Sequence, residues 1–329
     1  MIINHLQAFS GQHCETTATG TLLLQQQISL SEPMLFGLGE GLGFIFWHMK
    51  AMDFPFIGGR VKPDVLTENI AANLRLQLTV KETSSARKAW EEVKALLNEG
   101  QAVGLKLDCY HLEYFSKPFH FAGHYTAIYG YDDANAFLVD TLQQGGRVKT
   151  SLESLAKARA EKGPMASKNL YYTLHKGKPY NLDEAVRNAI RNNAKAYLHP
   201  PITNIGYKGI LKTAGELEKW FNTSSSRERD FCTTAMMMEK AGTGGALFRN
   251  LYRDFLQESY ALLRLPVLQQ AHEAFVNIAA QWTAVSSLLD EAGRTEDVRP
   301  IREAAAVLKK ISAEEQTAMG LLADVPPTA

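Results

Sequence analysis

Residues 102–150 read AVGLKLDCYHLEYFSKPFHFAGHYTAIYGYDDANAFLVDTLQQGGRVKT. Four short runs within this stretch, Ala102–Leu107, Tyr125–Tyr131, Ala136–Asp140 and Arg147–Thr150, are rich in β-branched and aromatic residues. Turn chemistry separates the last three, at Asp132-Asp133-Ala134-Asn135 and Gln144-Gly145-Gly146, so the spacing predicts an antiparallel meander. A further run, Asn169–His175, is expected to return to the same sheet. Upstream, helices are expected near 15–25, 31–38, 64–72 and 85–98, the last with Trp90, Val93, Leu96 and Leu97 on one face. Helices followed by a meander of antiparallel strands describe an α+β domain.

Downstream of Lys176-Gly177-Lys178-Pro179 the pattern changes to helices alone. The first, Leu182–Tyr197, is opened by Asn181 as a cap and closed before His199-Pro200-Pro201. Others are expected over Tyr207–Phe221, Arg227–Ala241, Ala246–Leu263, Val267–Glu291 and Val298–Leu322. Leu268, Phe275, Ile278, Trp282 and Leu289 recur at helical spacing and read as the buried stripe of a bundle rather than a cofactor site. The expected organisation is therefore an α+β domain over 1–177 and an all-α domain over 178–329.

Composition narrows the function classes. The 329 residues carry 35 basic and 35 acidic side chains, split 12 against 15 in 1–150 and 23 against 20 in 151–329. Neither part has the basic excess of a nucleic-acid binder. The opening MIINHLQAF lacks a basic region leading into an apolar core, so no secretory signal is expected. The apolar run Met34–Trp47 is too short to span a bilayer. Three cysteines without CxxC spacing, Cys14, Cys109 and Cys232, argue against a disulfide framework and a four-cysteine zinc site, and for a cytoplasmic protein with reduced thiols.

The chemistry concentrates in two places. Gly11-Gln12-His13-Cys14-Glu15-Thr16-Thr17-Ala18 puts a cysteine where coil enters a helix, facing unpaired N–H groups and the positive end of the helix dipole, which favour a thiolate. A nucleophilic cysteine needs a base and a group that orients the base. His124 opens one strand and Asp140 closes the next, and a hairpin of that length returns Asp140 beside His124. Taken singly, a cysteine near a helix start or a histidine at a strand start reads as a core position; the Cys–His–Asp combination lifts the catalytic reading. Gly37-Leu38-Gly39-Glu40-Gly41-Leu42-Gly43 lacks a phosphate-loop register and reads as close packing beside the site. Gly242–Gly245 reads as a tight turn between helices, with Arg249 beyond it as a candidate for binding an anionic group. His111, His120, His124 and Cys109 match no common zinc spacing, so no metal is expected, and Cys109 and Cys232 read as core.

The segment around Cys14, the stretch Glu32-Pro33-Met34-Leu35-Phe36-Gly37-Leu38-Gly39-Glu40-Gly41-Leu42-Gly43-Phe44, and the His124 and Asp140 strands together resemble the family of butirosin biosynthesis protein H, an acyltransferase of aminoglycoside assembly. The second half resembles the helical domain usually fused to it, through Gly242-Thr243-Gly244-Gly245-Ala246-Leu247-Phe248-Arg249. The resemblance implies a papain-like N-terminal domain, similar to bacteriocin-leader peptidases, with Cys14, His124 and Asp140 as the catalytic set and no cofactor. Those peptidases carry an oxyanion-hole glutamine six residues before the cysteine, where this chain has Ala8. Gln7, Gln12 or the Cys14 N–H with another donor are the substitutes, and Gln12, His13, Tyr125 and Arg249 are the candidate oxyanion or substrate-binding side chains. The expected function is transfer of an acyl group from an acyl-carrier-protein or coenzyme A thioester, through a Cys14 acyl-enzyme, to a small-molecule amine. The expected protein is cytoplasmic, and a homo-oligomer is compatible with it. A cysteine peptidase or amidohydrolase with the same residues, or an inactive binding protein of the same fold, is the alternative.

Overall fold

The computed structural model describes residues 1–50, 52–117, 119–163 and 166–328. In chain order the elements are α1 (Cys14–Gln25), α2 (Glu32–Leu38), β1 (Leu42–Trp47), β2 (Phe56–Arg60), α3 (Val65–Asn73), β3 (Gln77–Lys81), α4 (Ala86–Asn98), β4 (Val103–Leu107), β5 (His124–Tyr131), β6 (Asn135–Val139), β7 (Arg147–Ser151), α5 (Leu152–Ala160) and β8 (Tyr171–His175). Then come α6 (Leu182–Leu198), α7 (Gly206–Thr223), α8 (Arg227–Lys240), α9 (Arg249–Leu263), α10 (Pro266–Thr295) and α11 (Arg299–Ala323).

The chain divides into two compact units, one of Met1–Leu35 with Ile70–Pro179 and one of Phe36–Asn69 with Tyr180–Ala329. The architecture is α+β, as the meander predicts. The first unit holds a six-stranded antiparallel sheet in the order β3-β8-β4-β5-β6-β7. The β4–β7 meander follows the two turn clusters. Asp132 makes the first turn by accepting the Ala134 and Asn135 N–H groups on Oδ1, at 2.8 and 2.6 Å. Gly145 and Gly146 make the second at φ of 106° and 71°, values that cost a residue with a Cβ. β8 returns between β3 and β4, as expected.

One face of this sheet is sealed by α4 and α5. Val93 and Leu97 of α4 and Leu155 and Ala158 of α5 join Val103, Leu105, Leu107, Ile128 and Leu138 in one core, with Trp90 and Leu96 packed against it. Ser85 and Ser151 cap the two helices by accepting the Lys88 and Ser154 N–H groups. α1 packs on β5, β4, β6 and β8, and its Thr19 hydroxyl pairs with the Tyr172 hydroxyl at 3.0 Å. Every residue from Glu15 to Leu23 is buried, so α1 is a core helix despite its threonines, whose hydroxyls at 16, 17 and 21 bond back to carbonyls.

The second unit packs α10 against α8, α9 and α11, with α7 and α6 against α11. Leu268, Phe275, Ile278, Trp282 and Leu289 are all buried, as their spacing predicts, and Asn181 caps α6 through the Glu184 N–H. The second compact unit also takes in a segment from before the expected 177/178 boundary: Phe36–Asn69 packs with the helices from Tyr180 onward. That segment also brings an antiparallel β1–β2 pair, so the second unit is not purely helical, although the described residues after Tyr180 form no strand. β1 alternates buried and more exposed side chains, but Gly43 and the preceding Gly39 and Gly41 mask the pattern in sequence. β3 also went unforeseen, because it is an edge strand whose residues are nearly all exposed.

Candidate active site

Three backbone features set the site. His13 is the N-cap of α1 in extended conformation, and Cys14 is the first helical residue, half-buried. His124 is the first residue of β5, paired across the sheet with Leu107 at the end of β4. Asp140 follows β6, its N–H donating to the Gly146 carbonyl across the second turn at 2.7 Å. The Leu142 N–H then donates to the Gly11 carbonyl at 2.9 Å, which ties the turn before Cys14 to the segment just past Asp140.

The hairpin brings the histidine and aspartate into contact. His124 Nε2 lies 2.7 Å from Asp140 Oδ2, with both side chains buried. The Tyr114 hydroxyl donates to the same oxygen at 2.7 Å, and the Thr141 N–H donates to Oδ1 at 2.6 Å. A carboxylate only accepts hydrogen bonds, so Nε2 carries the proton and Nδ1 is the ring nitrogen left to exchange one. Phe115 packs edge-on to the imidazole, with ring centroids 5.3 Å apart. Burial works to lower the His124 pKa, but Asp140 and then Cys109 more than offset it and hold the imidazole well above its ordinary value. Burial and the neighbouring Asp140 charge push the Tyr114 phenol well up, so it stays a donor.

Cys109 is buried, as expected of a core residue, just past the end of β4. It sits in a one-turn 3-10 helix after β4, buried, its N–H donating to the Phe121 carbonyl at 3.2 Å. Its thiol is pushed up by burial and pulled back in part by His124, so this core residue adjoins the imidazole. Cys232 lies half-buried on α8 in the second unit, its thiol directed at the Asp290 carbonyl.

The turn before Cys14 is held by a group that sequence reading missed. The Glu32 carboxylate, at the start of α2, accepts the Gln12 N–H on both oxygens at 2.9 Å, the His13 N–H at 2.8 Å and the Thr16 hydroxyl at 2.7 Å. Gly11 has no room for a side chain, since a Cβ there would stand 2.5 Å from Thr17 Oγ1 and 2.9 Å from Glu32 Oε1.

The other sequence candidates fall differently. Gln7 and Gln12 are exposed, His13 is buried beside Cys14, and Tyr125 is buried with its ring against Tyr172. Arg249 is part of the second unit and fully buried. Its Nε and Nη2 pair with the two oxygens of Glu315, and its Nη1 donates to the Gly59 and Leu247 carbonyls. That guanidinium is committed to holding the fold, which corrects the idea that it awaits an anion. Gly242, Gly244 and Gly245 form a turn between helices at positive φ, as expected. Gly37, Gly39 and Gly41 do serve close packing, against Phe255, Leu66 and Phe36, within the second unit. His111 and His120 pair with the Glu161 and Asp108 carboxylates at 2.5 and 3.4 Å.

A helix headed by cysteine, packed on an antiparallel sheet that carries a buried histidine–aspartate pair, defines a papain-like α+β protein. Residues 13–141 match the family described as butirosin biosynthesis protein H, N-terminal, and residues 153–322 match a family described as a domain of unknown function (DUF4872). In its N-terminal part the chain belongs to the butirosin biosynthesis protein H-like family, which marks it as a biosynthetic enzyme of the butirosin-H type, and the greater part of its length belongs to the second family. No curated protein matches it. No helix among the described residues is long and apolar enough to cross a membrane.

Proposed function

We propose that the chain is a cysteine acyltransferase that moves an acyl group from a carrier-protein or coenzyme A thioester to a small-molecule amine. The observation that supports this most directly is the 2.7 Å His124 Nε2–Asp140 Oδ2 pair on the sheet against which the Cys14 helix packs. Asp140 holds the imidazole by Nε2, so that Nδ1 is the nitrogen that exchanges the proton, and stabilises its charged form. The Cys14 thiolate, paired with the His124 imidazolium, attacks the thioester carbonyl. The tetrahedral intermediate collapses, the C–S bond to the donor breaks, and the departing thiolate takes the proton from His124. The amine then attacks the Cys14 acyl-enzyme, and His124 accepts the amine proton and returns it to the Cys14 sulfur as the amide leaves. Glu32 takes the Gln12 and His13 N–H groups but not that of Cys14, so the Cys14 N–H is the backbone donor assigned to the oxyanion where a glutamine is replaced by Ala8.

Transfer outruns hydrolysis only when the amine is held at high effective concentration and water is kept out. The same reading places the enzyme in the cytoplasm with reduced thiols. Intact-mass measurement after exposure to loaded carrier proteins tests it. The wild-type protein should gain the mass of the acyl group, keep it while no amine is present, and lose it to an amide when the acceptor is added. Release as free acid at one rate with and without every amine tried would favour the hydrolase.

A further inference from the structure

The Glu32 carboxylate lies against the turn that delivers Cys14, nine-tenths buried, and meets three donors within five residues: the Gln12 N–H, shared between its two oxygens, the His13 N–H and the Thr16 hydroxyl, which also faces the His13 carbonyl. Two consequences follow from elementary chemistry. The bonds fix the backbone that enters α1, and with it the direction in which Cys14 presents its sulfur and its N–H. The charge also opposes a thiolate, because a buried anion beside the N-terminal end of a helix repels a second anion there and occupies the same positive dipole end.

We propose that Glu32 is a positioning residue for Cys14 that also suppresses its spontaneous ionisation, so that the thiolate forms only as a pair with the His124 imidazolium. This rests on the reading of Cys14 as the nucleophile. The other ionisable groups, on α1 and on the elements it packs against or that adjoin them, are His13 before it, Glu15 on α1 itself, Lys106 on β4, His124 on β5, Asp140 after β6, and Cys109 and Tyr114 in the segment between β4 and β5. His13, Lys106 and His124 are the cationic candidates among them, and His124 is the one held by Asp140.

The test reads Cys14 itself. Iodoacetamide labelling of the purified full chain is followed by peptide mass spectrometry across pH. Glu32→Gln keeps an acceptor oxygen in place and removes the charge, so the labelling midpoint of Cys14 should fall by about one pH unit, tenfold in thiolate below the midpoint. A midpoint that stays put or rises overturns the proposal. Should Glu32→Gln fail to fold by circular dichroism, Glu32→Asp carries the test, since it withdraws the carboxylate from the turn by one methylene. Its midpoint should fall by less, and kcat on an acyl thioester should drop with KM little changed. A variant at wild-type values in both respects overturns the proposal equally. Failure of the underlying reading is separate: a Cys14→Ala protein that still forms an acyl-enzyme removes the nucleophile, whereas the labelling midpoint needs no substrate.

Discussion

The Tyr114 hydroxyl and the His124 imidazole converge on a single oxygen, Asp140 Oδ2, each at 2.7 Å. The tyrosine therefore sets the rotamer of the carboxylate that sets the rotamer of the imidazole. Tyr114→Phe removes one donor to a buried charged acceptor while leaving the His124–Asp140 bond in reach. A hydrogen bond to a charged group contributes about 1.5–3 kcal/mol, so turnover should fall by roughly 10- to 100-fold. Steady-state kinetics on the acyl thioester checks this, and a Tyr114→Phe enzyme at wild-type turnover would show that Asp140 is held without it.

Asp140→Asn should lower turnover by about four orders of magnitude with the fold intact, because an amide neither fixes the tautomer nor stabilises the imidazolium. Asp132→Asn is the control: its Oδ1 accepts two backbone N–H groups in the β5–β6 turn, and an asparagine oxygen can take both. The pair of variants assayed side by side separates the site from the turn. Equal losses in both would remove Asp140 from the catalytic set.

The His124–Asp140 pair also predicts how stability responds to pH. The folded imidazole pKa stands well above its unfolded value of about 6.5, so the stabilisation is fully present below pH 6.5 and is lost as pH rises through the folded pKa. Thermal melting of the wild-type protein should therefore decline from about pH 6.5 upward more steeply than that of Asp140→Asn, which lacks the charge that raises His124. Parallel curves for the two proteins would contradict the coupling.

Among the three thiols, Cys14 should alkylate first near neutral pH. Cys109 is buried and its thiol is raised by desolvation; that of Cys232 is raised by burial and by Asp290. Peptide mass spectrometry after brief iodoacetamide exposure gives the order. Labelling of Cys109 or Cys232 ahead of Cys14 would move the nucleophile elsewhere.

In the second unit Glu315 accepts from Arg249, Trp282 and Tyr197, all fully or almost fully buried. Glu315→Ala strands the Arg249 guanidinium without its counter-charge, and such losses cost about 3–5 kcal/mol. Chemical denaturation should show the midpoint falling accordingly, and a change under about 1 kcal/mol would mean that water or a neighbour replaces the carboxylate.

Much of the fold is written in local pattern. The β4–β7 meander follows from turn residues at Asp132–Asn135 and Gly145-Gly146, and α10 from the spacing of its buried stripe. The approach of His124 to Asp140 was also legible, because a hairpin converts sequence spacing into proximity. What escaped depends on contacts between distant parts of the chain. Glu32 reaches back to a turn 19 and 20 residues earlier, Tyr114 reaches forward to Asp140 by 26, and Arg249 finds Glu315 at a separation of 66. No periodicity encodes those meetings. Arg249 shows the sharpest failure: an arginine just past a glycine turn looks like an anion site until its carboxylate partner on α11 is seen. Cys109 is buried, as its sequence surroundings suggest, but those surroundings carry no sign that the thiol adjoins His124.

The interleaving of the two units has a consequence for synthesis of the chain. Phe36–Asn69 belongs with helices that begin at Tyr180, roughly 110 residues later, so at a ribosomal pace of about 5–20 residues per second the β1–β2 hairpin waits roughly 6–20 seconds for its partners. During that interval Phe36, Phe44 and Phe46, buried in the finished protein, have no packing surface from the later helices. The nascent chain must pass through a stage at which the first unit can close around its sheet while an apolar loop of some 34 residues hangs outside it. Chaperone dependence during translation, and aggregation of any chain cut near residue 179, are built into this order of emergence.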